Sequence, residues 1–139
     1  MRPPEHLLLV GGSCEEVMAC AAAFHVATRH GGALVPTRPG ELPLHQGQSE
    51  LARALDRAVF GTVLVHDLHR LHLGLQGALA RLIERGWYRG EDGRWREANI
   101  QLVATLPAHL PTSGWQRTLR EDLVRLLCQD VVRLPERGP

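Results

Sequence analysis

Three histidines recur at three-residue steps, His66, His69 and His72, with Asp67 beside the first. Three imidazoles and a carboxylate form a ligand set for zinc or another transition metal. The opposing reading is a polar loop between a strand and a helix, because Leu68 and Leu71 break the spacing into a turn. A second group follows the apolar run from Leu7 to Val10: Gly11, Gly12 and Ser13, then Glu15 and Glu16. A glycine-rich turn that opens a helix offers its backbone N–H groups to an anion. Here two carboxylates already stand at that place. Cys14 lies at the same turn and with His66 would make a nucleophile–base pair; a structural thiol is the plainer reading. A third group gathers Trp87, Tyr88 and Trp95 with Arg85, Arg89, Arg94 and Arg96. Aromatic rings among arginines are the composition of a protein-interface anchor and of a stacking surface for single-stranded nucleic acid. They also suit a hairpin packed onto its own domain.

The elements that must position these residues follow from apolar patterning. Residues 6–10 are a compact apolar run ending at Gly11-Gly12, a buried strand. Ser13 can cap the next helix, which is expected to run to Arg29, with Glu15 and Glu16 in its first turn. A short strand is expected at 33–35, a loop at 37–47 around Pro39, Gly40 and Pro43, and a helix at 48–58. Residues 62–65 are again strand-like. Leu75, Ala78, Leu79, Leu82 and Ile83 mark one face of a helix over 73–85. Residues 87–97 are expected to form a hairpin turning at Asp92-Gly93. A strand at 100–105, a loop at 107–114, a helix bearing Leu119, Leu123, Leu126 and Leu127, and a strand at 131–134 complete the chain. Strands alternating with helices predict a parallel sheet with helices on its faces. In such folds ligands bind at the carboxyl ends of the strands.

Composition narrows the function classes. The 139 residues suit one domain, read as 1–139 with 135–139 a short tail. Apolar residues make up 44% and charged residues 22%, as in ordinary globular proteins. The formal net charge is +1, so no global field draws the chain to nucleic acid or to an anionic membrane. Every basic residue except histidine is arginine. The absence of lysine excludes a lysine phosphate clamp and Schiff-base chemistry. Three cysteines with no C-x-x-C spacing indicate neither a disulfide framework nor a zinc knuckle, and a reducing cytoplasm is the expected location. No apolar run is long enough for a signal peptide core or a membrane span. The chain begins with Met1, which suggests a complete product.

From Gly61 the sequence reads Gly-Thr-Val-Leu-Val-His-Asp-Leu, followed by Leu75-Gln76 and Leu79 to Leu82. This resembles the Walker B strand and following helix of sigma-54-type activators, GTLFLDEI…LQ…LLRVLQEG, with Gly86 at the last glycine. Residues 101–105 are similar to the sensor I strand of that family, residues 119–123 to its FREDL segment, and residues 132–135 to its PIRLP exit. Residues 7–25 align without a gap on its Walker A segment, VLITGESGTGKELVARAIH. The resemblance covers nearly the whole chain. It implies an AAA+ α/β core: a three-layer sandwich on a mainly parallel five-stranded sheet, here without the helical lid that follows in the family.

The departures fall on the chemistry. A P-loop needs a lysine at the β- and γ-phosphates, and Val17 stands at that position. By the same alignment the metal-binding Asp is His66, the catalytic Glu is Asp67 and the sensor I Asn is Pro107. The connection that would carry the GAFTGA sigma contact is too short. Arg120 keeps the place of one family arginine, which acts across a subunit boundary; the second aligns with Leu126, next to Arg125. The resemblance with these losses implies a pseudo-ATPase that needs no cofactor. It would bind another protein, an active AAA+ relative or a component of the transcription machinery, with Gly11, Gly12, Ser13, Glu16, Val17, His66 and Asp67 marking the degraded nucleotide site. Trp87, Tyr88, Trp95, Arg89 and Arg94 are the candidate partner contacts. Three alternatives stand beside it. They are residual nucleotide binding or slow hydrolysis, metal or small-molecule binding at His66, Asp67 and His69, and single-stranded nucleic acid on the hairpin.

Overall fold

The computed structural model describes residues 4–29, 31–97, 99–109 and 119–135. Among the described residues, seven strands and four helices follow one another: β1 (Leu7–Val10), α1 (Cys14–Arg29), β2 (Leu34–Thr37), α2 (Leu44–Arg57), β3 (Thr62–Val65), α3 (Leu73–Arg85), β4 (Trp87–Arg89), β5 (Trp95–Glu97), β6 (Gln101–Leu106), α4 (Glu121–Leu127) and β7 (Val131–Arg133). Five strands form one sheet in the order β2-β3-β6-β1-β7, and every pairing in it is parallel. The expected five-stranded α/β sandwich is present, with β4 and β5 as a separate antiparallel hairpin.

Strand alternation divides the core between two faces. Leu7, Leu9, Leu64 and Val103 pack with Val17 and Ala21 of α1. Leu8, Val63, Val65, Leu102, Ala104 and Leu106 pack with Leu51 and Leu55 of α2, Leu75 and Leu79 of α3, and Leu123 and Leu127 of α4. Among the described residues, one helix therefore packs on one face and three on the other. At the amino ends of the strands, on the α1 side, a buried polar set replaces apolar packing. Thr62 Oγ1 lies 2.8 Å from His25 Nδ1 and accepts from Gln101 Nε2, which also donates to Thr28 Oγ1. Because His25 Nε2 faces the Gly32 carbonyl at 2.9 Å, it must carry the proton when the ring is neutral, leaving Nδ1 to accept from Thr62.

Several boundaries differ from expectation, each for a local reason. α2 begins at Leu44, four residues before the expected 48, because Pro43 serves as its N-cap residue and Pro39 opens a 3-10 turn over Pro39–Glu41. Residues 37–47 are therefore not one loop. Leu119 precedes α4, where it is buried, and Leu126 is only partly buried against the core. Of the loop expected at 107–114, residues 110–114 lie outside the described residues, as do 136–139 of the tail. No described helix is long and apolar enough to cross a membrane.

Candidate functional site

The carboxyl ends of β1, β2, β3 and β6 open on a cleft of about 280 Å³, lined among others by Gly11, Gly12, Cys14, Val17, Arg38, His66, Asp67, Thr105 and Pro107. The expected residues of the turn after β1 and of the His66-Asp67 pair are therefore brought together. Their chemistry is largely directed inward.

Gly11 and Gly12 both take φ near +83°, a turn that glycine adopts without strain. The space a Cβ would need at Gly12 is held by Leu134, whose Cδ1 would lie 2.6 Å away. Close backbone approach is thus made to a leucine. Ser13 and Glu16 form a reciprocal capping box: Ser13 Oγ accepts from the Glu16 N–H at 3.1 Å, and Glu16 Oε1 accepts from the Ser13 N–H at 3.1 Å. The carboxylate satisfies a donor of the same turn that a phosphate would use. Val17 is 6% exposed and packs in the cluster under α1.

Across the cleft, Asp67 holds a left-handed backbone, φ 56°, fixed by its N–H donating to Thr105 Oγ1 at 2.9 Å. Asp67 lies 3.8 Å from the Arg38 guanidinium, which also approaches Glu41 at 3.7 Å and donates to Cys14 Sγ at 3.4 Å. Arg38 is the residue that sequence reasoning missed. Nothing in its local sequence marks it; β2 alone delivers it to the cleft. Cys14 is engaged by Arg38 rather than by His66.

The histidines are not brought together as a ligand set. His66 is buried beside Arg38. The Nδ1 of His69 is buried without a described hydrogen-bond partner. His72 is the N-cap of α3, its Nδ1 accepting from the Gly74 N–H at 3.0 Å. Among the described residues no three His, Cys, Asp or Glu side chains are placed to share a metal. The three-residue spacing falls across a 3-10 turn, Leu68–Arg70, and a helix cap, which distributes the three rings over two elements.

Burial, then the Arg38 charge, lowers the pKa of His66 against the opposing pull of Asp67 and Glu41; burial also lowers that of His69, with Asp67 opposing. A histidine whose folded pKa is depressed stabilises the protein above the unfolded value of 6.5, and that contribution is lost as pH falls below it. The melting temperature is therefore expected to fall between pH 7 and about 5, and His66→Gln to make that fall shallower. An identical pH profile for the variant would remove His66 as the cause.

The hairpin splits its candidates. Trp87 and Trp95 are 43% and 52% exposed. Tyr88 is 3% exposed, and its hydroxyl donates to Asp56 Oδ1 of α2 at 2.7 Å. Asp56 also accepts from the Glu91 N–H and lies 3.7 Å from Arg96. Tyr88 is therefore an anchor of the hairpin, a correction to its reading as a partner contact. Strand alternation puts it on the face opposite Trp87 and Arg89. Arg89 donates through Nε to the Gly93 carbonyl, and Arg94 projects into solvent from the tip. Arg120 grips Asp122 with two donors at 3.0 Å each, a local ion pair at the start of α4.

No family model matches the chain, and no curated protein matches it. Solved structures do. NtrX from Brucella abortus in complex with ADP superposes with a TM-score of 0.80 at 19% identity, over 93% of this chain and 31% of that one. The same protein in complex with ATP gives a TM-score of 0.79 at 16% identity. The S. cerevisiae Hsp104-ADP complex gives 0.68 at 11% identity, over 94% of this chain and 29% of that one. The chain thus spans about a third of the length of these proteins, and at such identities the likeness is one of fold.

Proposed function

We propose that this chain, an AAA+ core of the fold seen in sigma-54-type activators, is a pseudo-ATPase that acts by binding another protein. The observation that carries the reading is Val17. Where the resemblance implies a phosphate-gripping lysine, an aliphatic side chain is packed into the core under α1. The surroundings support it: Leu134 lies against Gly12, Glu16 caps the turn, and Asp67, in place of a catalytic glutamate, turns to Arg38. Phosphoryl transfer depends almost wholly on positioning and charge, and here those positions hold a buried aliphatic, a depressed-pKa imidazole and a proline.

Titration calorimetry with ATP and magnesium is expected to give no heat of binding. Val17→Lys is expected not to restore it, because His66 and Pro107 remain. A dissociation constant in the low micromolar range would overturn the reading and favour a residual nucleotide binder.

The positive half of the proposal rests on the exposed indoles. Large aromatics flanked by arginines dominate binding energy at protein interfaces. Trp87→Ala and Trp95→Ala are each expected to weaken capture of the partner by about thirtyfold, equivalent to about 2 kcal/mol, with little change in melting temperature. The partner class is a protein of the transcription machinery or an active AAA+ relative, to be identified by affinity capture and mass spectrometry. A loss of melting temperature equal to the loss of binding would return both indoles to a packing role.

A further inference from the structure

A larger cleft, about 760 Å³, lies away from the strand edge, between α2, α3 and the hairpin. Its floor is Leu51, Leu55 and Leu75, all buried in the core. Ala52 and Ala78 also line it, and their small side chains leave depth above the leucines. Leu44 and Trp95 form the lip, 42% and 52% exposed. Two large apolar side chains therefore stand exposed beside the trough.

The rim is cationic. The Arg81 guanidinium stacks 4.9 Å from the centre of the Trp95 ring, which holds both groups in place. Arg89 is oriented by the Gly93 carbonyl. Among the described residues neither arginine has a carboxylate partner. The one carboxylate of the lining, Glu91, is taken by Arg53 at 2.9 Å. An apolar floor with two oriented, unneutralised cations is complementary to an apolar stripe flanked by carboxylates.

We infer that this cleft docks an amphipathic helical segment of a partner protein, its apolar side chains on the leucine floor and its Glu or Asp side chains against Arg81 and Arg89. The inference rests on the reading of the chain as a binding module and names the chemistry of what it binds. Helix-in-groove recognition takes its affinity from apolar anchors spaced along one face. The charges set orientation and exclude basic competitors. A nucleic acid would present a row of phosphates to a rim with two cations and to a floor that offers it no hydrogen bond.

The test is fluorescence anisotropy of the whole chain with synthetic four-turn amphipathic peptides. The panel varies the leucine stripe, and each stripe carries either glutamate or lysine flanks. At least one glutamate-flanked peptide is expected to bind at least about tenfold more tightly than its lysine counterpart. Ala78→Trp, which fills the trough, is expected to abolish that binding. Arg81→Glu, a surface change that leaves the core intact, is expected to invert the preference. Val26→Ala, an exposed position on α1 outside the cleft, is expected to leave it unchanged. Equal affinity for both flank charges, or binding indifferent to Ala78→Trp and Arg81→Glu, would overturn the inference. So would tighter binding of oligo-dT, or self-association abolished by Arg81→Glu, which would assign the cleft to a second copy. If no peptide binds while a partner is captured through Trp87, this inference fails and the interaction-module reading stands. Binding of ATP would overturn the loss of nucleotide function without touching the peptide result.

Discussion

Gly61→Ala is expected to be the most damaging glycine-to-alanine change among the described residues. A Cβ at Gly61 would overlap the Ala33 carbonyl oxygen and lie 2.7 Å from the Ala33 nitrogen, both backbone. Backbone cannot rotate aside as a side chain can, so the start of β2 must move. That movement stretches the hydrogen bond from the Thr62 N–H to the Ala33 carbonyl, 2.9 Å, at the head of the β2–β3 ladder. Overpacking alone costs about 1–3 kcal/mol, and a buried donor left unpaired adds about 1–3 kcal/mol. A total near 4 kcal/mol corresponds to a fall in melting temperature of roughly 10–15 °C for a domain of this size. Gly31→Ala is the control, since a Cβ there meets open space; its effect is expected to stay within about 1 kcal/mol and to be stabilising if anything. A Gly61→Ala protein that melts with the Gly31→Ala control would show that β2 is not held at this contact. The consequence reaches function, because β2 is the strand that carries Arg38 to the cleft.

That dependence explains which parts of the molecule were legible in the sequence. Apolar periodicity located α3, because Leu75, Leu79 and Leu82 face one way on any helix drawn through them. It located β1, β3 and β6 for a related reason: strands covered on both faces are continuous apolar runs. Proline was misleading. Pro43 marks a loop by composition, yet its fixed φ suits the residue just before a helix, and α2 starts directly after it. The alternation Trp87-Tyr88-Arg89 carries the signal that separates them, since a two-residue period requires Tyr88 to face away from its neighbours.

The cleft was legible only in part. The turn from Gly11 to Val17 and the pair His66-Asp67 are contiguous stretches that resemblance can align. Arg38 reaches them from the end of β2, and Asp56 reaches Tyr88 of the hairpin from α2. Such contacts depend on sheet order, which periodicity does not encode. The histidine spacing misled for the complementary reason. A three-residue step gathers side chains only on one continuous element, and the 3-10 turn and the cap at His72 distribute them over two.

Gln76→Leu is the second large effect to expect. Gln76 is fully buried in the middle of an apolar cluster, on the face of α3 that meets α4. Its Nε2 donates to the Leu71 carbonyl at 2.9 Å and to the Leu68 carbonyl at 3.4 Å. Its Oε1 accepts from the Arg120 N–H at 2.8 Å. One amide therefore ties the turn after β3 to the start of α4, and orients Arg120 for its grip on Asp122. Leucine has similar volume but can replace none of these bonds. The Leu71 carbonyl and the Arg120 N–H would each lose a partner, at about 1–3 kcal/mol apiece, so a loss of about 3 kcal/mol is expected. Gln76→Glu separates the two halves of the role. A carboxylate can still accept from the Arg120 N–H but meets the Leu71 carbonyl with a lone pair, so it is expected to be at least as damaging near neutral pH and to recover as acid protonates it. Hydrogen exchange gives the sharper readout: amides of α4 should exchange faster in Gln76→Leu, while those of β6 follow only the global loss. Uniform acceleration across both elements would mean that Gln76 contributes bulk stability and is not the latch between α3 and α4.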